Sequence, residues 1–224
     1  MTTPSHGHDH PDHAQPGPAS EDGTDSPAAW DRRYADLDQV WSGRPNGALV
    51  TEVAGLPAGR ALDVGCGEGA DAVWLSSQGW QVTALDVSQV ALERAAQAAE
   101  KAGADVRWVH TGLLEAGLSP GSFDLVSAQY PALLKTPGQD AERTLLSLVA
   151  PGGLLLVVHH AMLTLHAHSD DGFDPDSYVQ PADVAALLDQ DWQLELHQER
   201  PRSITGGAGV HHVADIVVRA RRLR

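Results

Sequence analysis

Cysteine is almost missing from this chain: Cys66 is the only one in 224 residues. An intrachain disulfide framework is therefore excluded, and a reducing compartment is compatible. Long apolar runs are missing too, since none reaches about 18 residues, so no membrane span is expected. Residues 1–27 contain no Leu, Ile or Val, so they offer no apolar signal core, and the expected location is the cytoplasm. Basic residues are scarce. Against 30 Asp and Glu stand 15 Lys and Arg, a formal net charge of −15. Such a surface repels a phosphate backbone, and the terminal RARRLR is too short to offset it, so nucleic acid is not an expected partner.

The apolar share of 42% and the length suit one sizeable core and no second domain. Residues 1–27 cannot bury enough surface to offset ordering entropy and read as a disordered, acidic, histidine-rich tail. Its His6, His8, His10 and His13, in HGHDHPDH, could take up a divalent metal weakly or simply be solvated. The folded domain is expected over 28–224. It opens with AAWDRRYADLDQVW, where Trp30, Tyr34, Leu37 and Trp41 fall at helical spacing and predict one helix with an apolar stripe, Trp30 and Leu37 facing the core.

From residue 60 onward the pattern alternates. ALDVG, QVTALDV, VRWVHT, FDLVSAQ and GLLLVVHH read as buried strands, and ADAVWLSSQ, SQVALERAAQAAEKAG and DAERTLLSLVAPGG between them read as helices. Ser88 is placed to cap the second helix and Gly103 to end it. Pro151 and Gly152 are expected to stop the third. After a short helix at PADVAALLDQ, the runs WQLELHQER and VADIVVRAR have no helix between them and should pair antiparallel. The expected fold is α/β, a Rossmann-like doubly wound, mostly parallel seven-stranded sheet closed by a C-terminal antiparallel hairpin.

The stretch RALDVGCGEGADAVWL puts Gly65, Gly67 and Gly69 behind a strand and ahead of a helix. Gly65, Gly67 and Ala70 formally satisfy the dinucleotide fingerprint, which leaves an NAD(P)-dependent oxidoreductase as one reading. The charges point elsewhere. Asp63 sits two residues before Gly65, and Glu68 and Asp71 add negative charge at the helix mouth. That setting suits a cationic ligand better than a pyrophosphate.

LDVGCGEG, followed at a suitable interval by VTALDVS, resembles the first two motifs of the class I S-adenosylmethionine-dependent methyltransferases. The likeness runs over about residues 30–222. It implies S-adenosylmethionine as cofactor, with Asp63, Gly65, Cys66 and Gly67 along its methionine end and Gly69 as a further cofactor-binding residue of the same turn. Asp86 would then accept from the ribose hydroxyls, Val87 would pack on adenine, and Ala128 and Gln129 would lie near the sulfonium. Gly112 stands where the family often has an adenine-binding acid. Thr111 or the Leu113 backbone would serve instead, with somewhat weaker cofactor binding. The leading WDRRYADLDQVWSGRPNG is similar to the segment that lids the cofactor in the small tellurite-resistance and thiopurine S-methyltransferase groups. That likeness gives Tyr34, Trp41 and Arg44 cofactor roles: Arg44 toward its carboxylate, Trp41 over the sulfonium.

A methyl acceptor that is already a good nucleophile needs only alignment, whereas a hydroxyl or ammonium needs a base. Tyr130 after the fourth strand, and His159 and His160 ending the fifth, are the base candidates by position, and at most one of the two histidines should face the pocket. His166, His168, His211 and His212 read as surface, and residues 166–176 as a flap or a solvated loop. AQYPA is not the N/D-P-P-Y/F motif of base methylation. The expected acceptor is a small molecule with a soft nucleophile: a thiol, a selenol or a metalloid oxyanion. A non-catalytic S-adenosylmethionine sensor is the remaining alternative.

Overall fold

A computed structural model describes residues 26–161, 175–202 and 213–224. The histidines of the tail (His6, His8, His10 and His13), the rest of residues 1–25, His166, His168, His211, His212 and most of 166–176 lie outside the described residues.

The described chain forms helix α1 (Pro27–Ala35), α2 (Gly47–Val53), strand β1 (Arg60–Val64), α3 (Ala70–Ser77), β2 (Gln81–Asp86), α4 (Gln89–Ala102) and β3 (Val106–His110). It continues through β4 (Phe123–Gln129), α5 (Asp140–Leu148), β5 (Val149–His160), α6 (Pro181–Ala185), β6 (Trp192–Pro201) and β7 (Ala214–Arg222). The seven strands make one sheet in the order β3-β2-β1-β4-β5-β7-β6. The first five pair in parallel, and β7 runs antiparallel to both β5 and β6. The predicted architecture is present.

Central strands read as continuous apolar runs because helices cover both faces. Successive side chains go to opposite sides. Leu62, Val64, Leu155 and Val157 join one buried cluster with Leu145 and Leu148 of α5. Ala61, Leu154, Leu156 and Val158 join the other, with Ala72 and Leu75 of α3. Helix α4 has both expected ends: the Ser88 hydroxyl accepts from the Ala91 N–H, and Gly103 closes it at φ 65°.

Two expectations fail locally. Helix α5 stops at Leu148, ahead of Pro151 and Gly152, which lie inside the start of β5. The strand's pairing captures the chain before proline is needed to break the helix. The N-terminal stripe is not one helix either: α1 ends at Ala35, and Leu37 is 54% exposed rather than core. A continuing helix would bond the Val40 and Trp41 N–H groups to carbonyls four residues back. They bond the Glu68 carboxylate instead, at 2.9–3.2 Å. The Leu37 carbonyl is likewise diverted, accepting from Arg94 at 2.7 Å.

Candidate cofactor and acceptor site

Between β1 and α3 the chain turns through Gly65, Gly67 and Gly69 at φ 68°, 53° and 80°, left-handed values that cost glycine little and other residues more. The N–H groups of Gly65 and Cys66 both donate to the Leu85 carbonyl, which ties the turn to β2. The surroundings of the three glycines differ. Nothing lies within 4 Å of a side chain built at Gly65. At Gly67 it would meet the Tyr34 hydroxyl at 2.9 Å and Trp41 Nε1 at 3.1 Å, and at Gly69 it would strike Ala95 and Trp108 at 2.7 Å. Gly69 therefore serves the close packing of α3 on α4 and β3, while Gly65 leaves open space.

Three buried carboxyls surround this turn: Asp63, Asp71 and Asp86. Asp86 accepts from the Gly67 N–H at 2.8 Å through Oδ2 and from the Ser88 N–H at 2.9 Å through Oδ1. Each oxygen keeps a further lone pair, so the carboxylate still offers two acceptors. Asp71 accepts from the Asn46 backbone N–H at 2.7 Å and side-chain amide at 2.8 Å. Asp63 Oδ2 is buried without a hydrogen-bond partner. Burial pushes all three carboxyls upward, and the charges of Asp71 and Asp86 push Asp63 further. Burial also raises the Cys66 thiol, which Asp63 and Asp86 reinforce. Buried negative charge beside open backbone is the setting for a cation. The ammonium and sulfonium of S-adenosylmethionine fit it: Asp63 Oδ2 can take a donor, Gly65 leaves room, and Asp86 can take a vicinal diol.

The N-terminal segment reaches this turn. Trp41 Nε1 donates to the Tyr34 hydroxyl at 2.9 Å directly above Gly67. The Tyr34 phenol is raised by burial and by nearby Asp86. Arg44 is exposed, on the stretch leading to Asn46. Three anchors of the segment were missed in the sequence. Glu68 pairs with Arg94 at 2.9 Å, Arg94 also donates to the Tyr34 carbonyl, and Asp31 accepts from the Ser88 hydroxyl at 2.6 Å. Each contact joins residues far apart in sequence, where no local pattern carries a signal.

Beside Asp86 lie Val87, Thr111, Gly112 and Leu113. His110 Nε2 meets the Val87 carbonyl at 2.9 Å, the Thr111 hydroxyl donates to the Gly112 carbonyl at 3.2 Å, and the Leu113 side chain packs in the core. A side chain at Gly112 would run into the Glu115 carboxylate, with Val87 Cγ1 at 3.7 Å. An acid therefore does stand beside Gly112, supplied from three residues along the chain.

At the carboxyl ends of β4 and β5, Ala128 is fully buried, and Gln129 Nε2 donates to the Ser127 hydroxyl at 3.0 Å. Tyr130 follows at φ 53°, an outlier for a bulky residue. Its ring stacks on His160 with centroids 4.3 Å apart, and its hydroxyl donates to Asp215 Oδ2 at 2.8 Å. Burial and Asp215 raise the phenol, so it holds its proton. His159 accepts from the His160 N–H at Nδ1, and burial pushes it down to about 4, helped by His160. His160 Nδ1 stands 3.4 Å from Asp215 Oδ1. Antiparallel pairing puts Asp215, at the start of β7, opposite His160. A cleft of about 200 Å³ opens here, lined by Asn46, Thr51, Tyr130, Arg200, Arg202 and Asp215 among others. The sequence places Asp215 and Arg200 only in strands and gives Arg202 no role. The one hint was an acid in the otherwise apolar VADIVV run.

Residues 61–153 match a family model described as a methyltransferase domain. An uncharacterized methyltransferase of Mycobacterium bovis is 34% identical over 123 residues, covering 54% of this chain and 61% of that protein. A ribosomal RNA small subunit methyltransferase C of Alcanivorax borkumensis is 32% identical over 131 residues, covering 55% of this chain and 38% of its own. The chain thus spans about three fifths of the mycobacterial relative's length and less of the other's. An N-methyltransferase structure from Bradyrhizobium japonicum, solved with S-adenosylhomocysteine, shares the fold with a TM-score of 0.66. It is 18% identical and covers 89% of this chain and 100% of its own. The dinucleotide reading of the glycine turn is set aside by the family match and by the reversed β7, which a dinucleotide domain of six parallel strands lacks. Turn, acids and strand order agree with that match: residues 61–153 form a methyltransferase domain, in a chain that shares the fold of the methyltransferase solved with S-adenosylhomocysteine.

Proposed function

We propose that the protein is an enzyme that methylates a small-molecule acceptor with S-adenosylmethionine. The observation that carries this reading is the buried, unpartnered Asp63 Oδ2 beside the open side of Gly65. The bound cofactor supplies a methyl group made electrophilic by its sulfonium. Asp63 and the turn around Gly65–Gly67 hold the amino-acid end, and Asp86 holds the sugar. Val87, Thr111 and the Leu113 backbone border the base, and Tyr34 and Trp41 keep water from the turn. Arg44 reaches the cofactor carboxylate in this reading, from its exposed position.

The small cleft and the net charge of −15 support a small acceptor over a polyanion. A thiol, selenol or metalloid oxyanion would need only alignment there, whereas a hydroxyl would also need a base. No helix among the described residues is long and apolar enough to cross a membrane.

Calorimetry with S-adenosylhomocysteine tests the cofactor half. Binding by the wild type, weakened at least about tenfold in Asp86→Ala (roughly 1.4 kcal/mol), is expected, and equal behaviour of the two proteins rejects the site. Methyl transfer to small-molecule probes and none to 16S ribosomal RNA is expected from the acceptor half. The reverse result rejects it.

A further inference from the structure

The Asp215 carboxylate is buried, with 6% of its surface exposed, and it lines the cleft. Oδ2 accepts from the Tyr130 hydroxyl at 2.8 Å and lies 3.7 Å from Arg202 Nε. Oδ1 faces His160 Nδ1 at 3.4 Å and makes no hydrogen bond. A buried carboxylate oxygen without a hydrogen bond is costly, and this one stands at the rim that carries Ala128 and Gln129. The Tyr130 turn, held at φ 53°, places the phenol against Asp215 while the ring stacks on His160. Backbone strain of this kind is kept where the surroundings hold a side chain to one task.

We propose that Asp215 is the proton acceptor of methyl transfer, positioned by Tyr130 and His160, and that the substrate is a small molecule presenting a hydroxyl group. This rests on the methyltransferase reading above and deepens it. A hydroxyl donates to Asp215 Oδ1. As its oxygen attacks, the new carbon–oxygen bond forms while the methyl–sulfur bond breaks, and that electron pair stays on sulfur as a neutral thioether. The methylated oxygen becomes strongly acidic in the act, so its proton passes to Asp215 and on to water after product release. A carboxylate is base enough for a proton that leaves this late. An ammonium acceptor fits worse. A carboxylate would hold it protonated and unreactive, and Arg200 and Arg202 line the same cleft. A soft nucleophile would leave Asp215 without work, since a thiolate has no proton to give up.

Phenol and thiophenol separate these cases, because they match in shape and only the first carries its proton at neutral pH. The wild type is expected to methylate phenol, and calorimetry is expected to detect phenol binding to the complex with S-adenosylhomocysteine. In Asp215→Asn, kcat on phenol should fall at least 100-fold, at least 30 times more than kcat on thiophenol, with KM and phenol affinity within threefold. His160→Gln, which keeps the carboxylate, should lose about tenfold in kcat on phenol alone and decides the matter if Asp215→Asn does not fold. Equal losses on both probes overturn the proposal. So does a wild type that binds S-adenosylhomocysteine yet neither binds nor methylates phenol. Failure to bind S-adenosylhomocysteine at all overturns the methyltransferase reading beneath it.

Discussion

Glu68 and Arg94 meet at 2.9 Å, and between them they bind four backbone groups of the N-terminal segment: the N–H groups of Val40 and Trp41 and the carbonyls of Tyr34 and Leu37. One ion pair thus replaces a turn of helix as the partner for that backbone. Glu68→Ala leaves the guanidinium without its counter-ion and two N–H groups without an acceptor, and should cost about 2–4 kcal/mol. A urea titration reads the loss, and limited proteolysis should find new cleavage within 36–46. S-adenosylhomocysteine affinity should fall as well, because Tyr34 and Trp41 lose their hold over Gly67.

The three glycines of the turn should separate binding from stability. Gly65→Ala meets no atom and pays only for its left-handed backbone, roughly 1 kcal/mol, yet it fills the open side and should abolish cofactor binding. Gly69→Ala strikes Ala95 and Trp108 at 2.7 Å, so its larger effect should be on melting temperature. Paired calorimetry and thermal denaturation check the contrast. It fails if both variants lose the same property.

Asp63 carries the opposite trade. Its folded carboxyl is raised well above the ordinary value by burial and by Asp71 and Asp86, so the folded state holds that proton more tightly than the unfolded state. Stability contributed by this group is present at low pH and lost as pH rises through the window above the ordinary carboxylate range. Asp63→Asn should therefore raise the melting temperature at neutral pH, by a few degrees for a gain of about 1–2 kcal/mol, and weaken cofactor binding.

His159 works from the acid side. With a folded value of about 4 against an ordinary 6.5, the unfolded state binds the proton first as pH falls. Stability should drop by about 3 kcal/mol between pH 6.5 and 4 from this residue. His159→Asn keeps an acceptor for the His160 N–H and should flatten that limb of the urea midpoint against pH. An unchanged acid limb would refute the assignment.

The sheet was legible because its strands are near-continuous apolar runs between well-punctuated helices, and Ser88 and Gly103 cap α4 as their chemistry requires. The glycine turn and the acids around it were legible for a similar reason, being local in sequence. What escaped was set by contacts between distant residues. The Leu37 stripe was abandoned because Glu68 and Arg94, more than 25 positions away, outbid the helix for its backbone. Glu115 stands beside Gly112, where the sequence points only to Thr111 and the Leu113 backbone as substitutes. Asp215 reaches His160 through antiparallel pairing, and the alternation of VADIVV says nothing of which residue stands opposite.

Because β7 runs against β5, it delivers Asp215, near its start, to the rim at the carboxyl ends of β4 and β5. The turn near Gly65 and the wall near Asp215 are therefore separately editable pieces of one molecule. Exchanging the final hairpin between relatives should alter which acceptor is chosen while sparing the nucleoside grip, so selection has a modular route to new substrates.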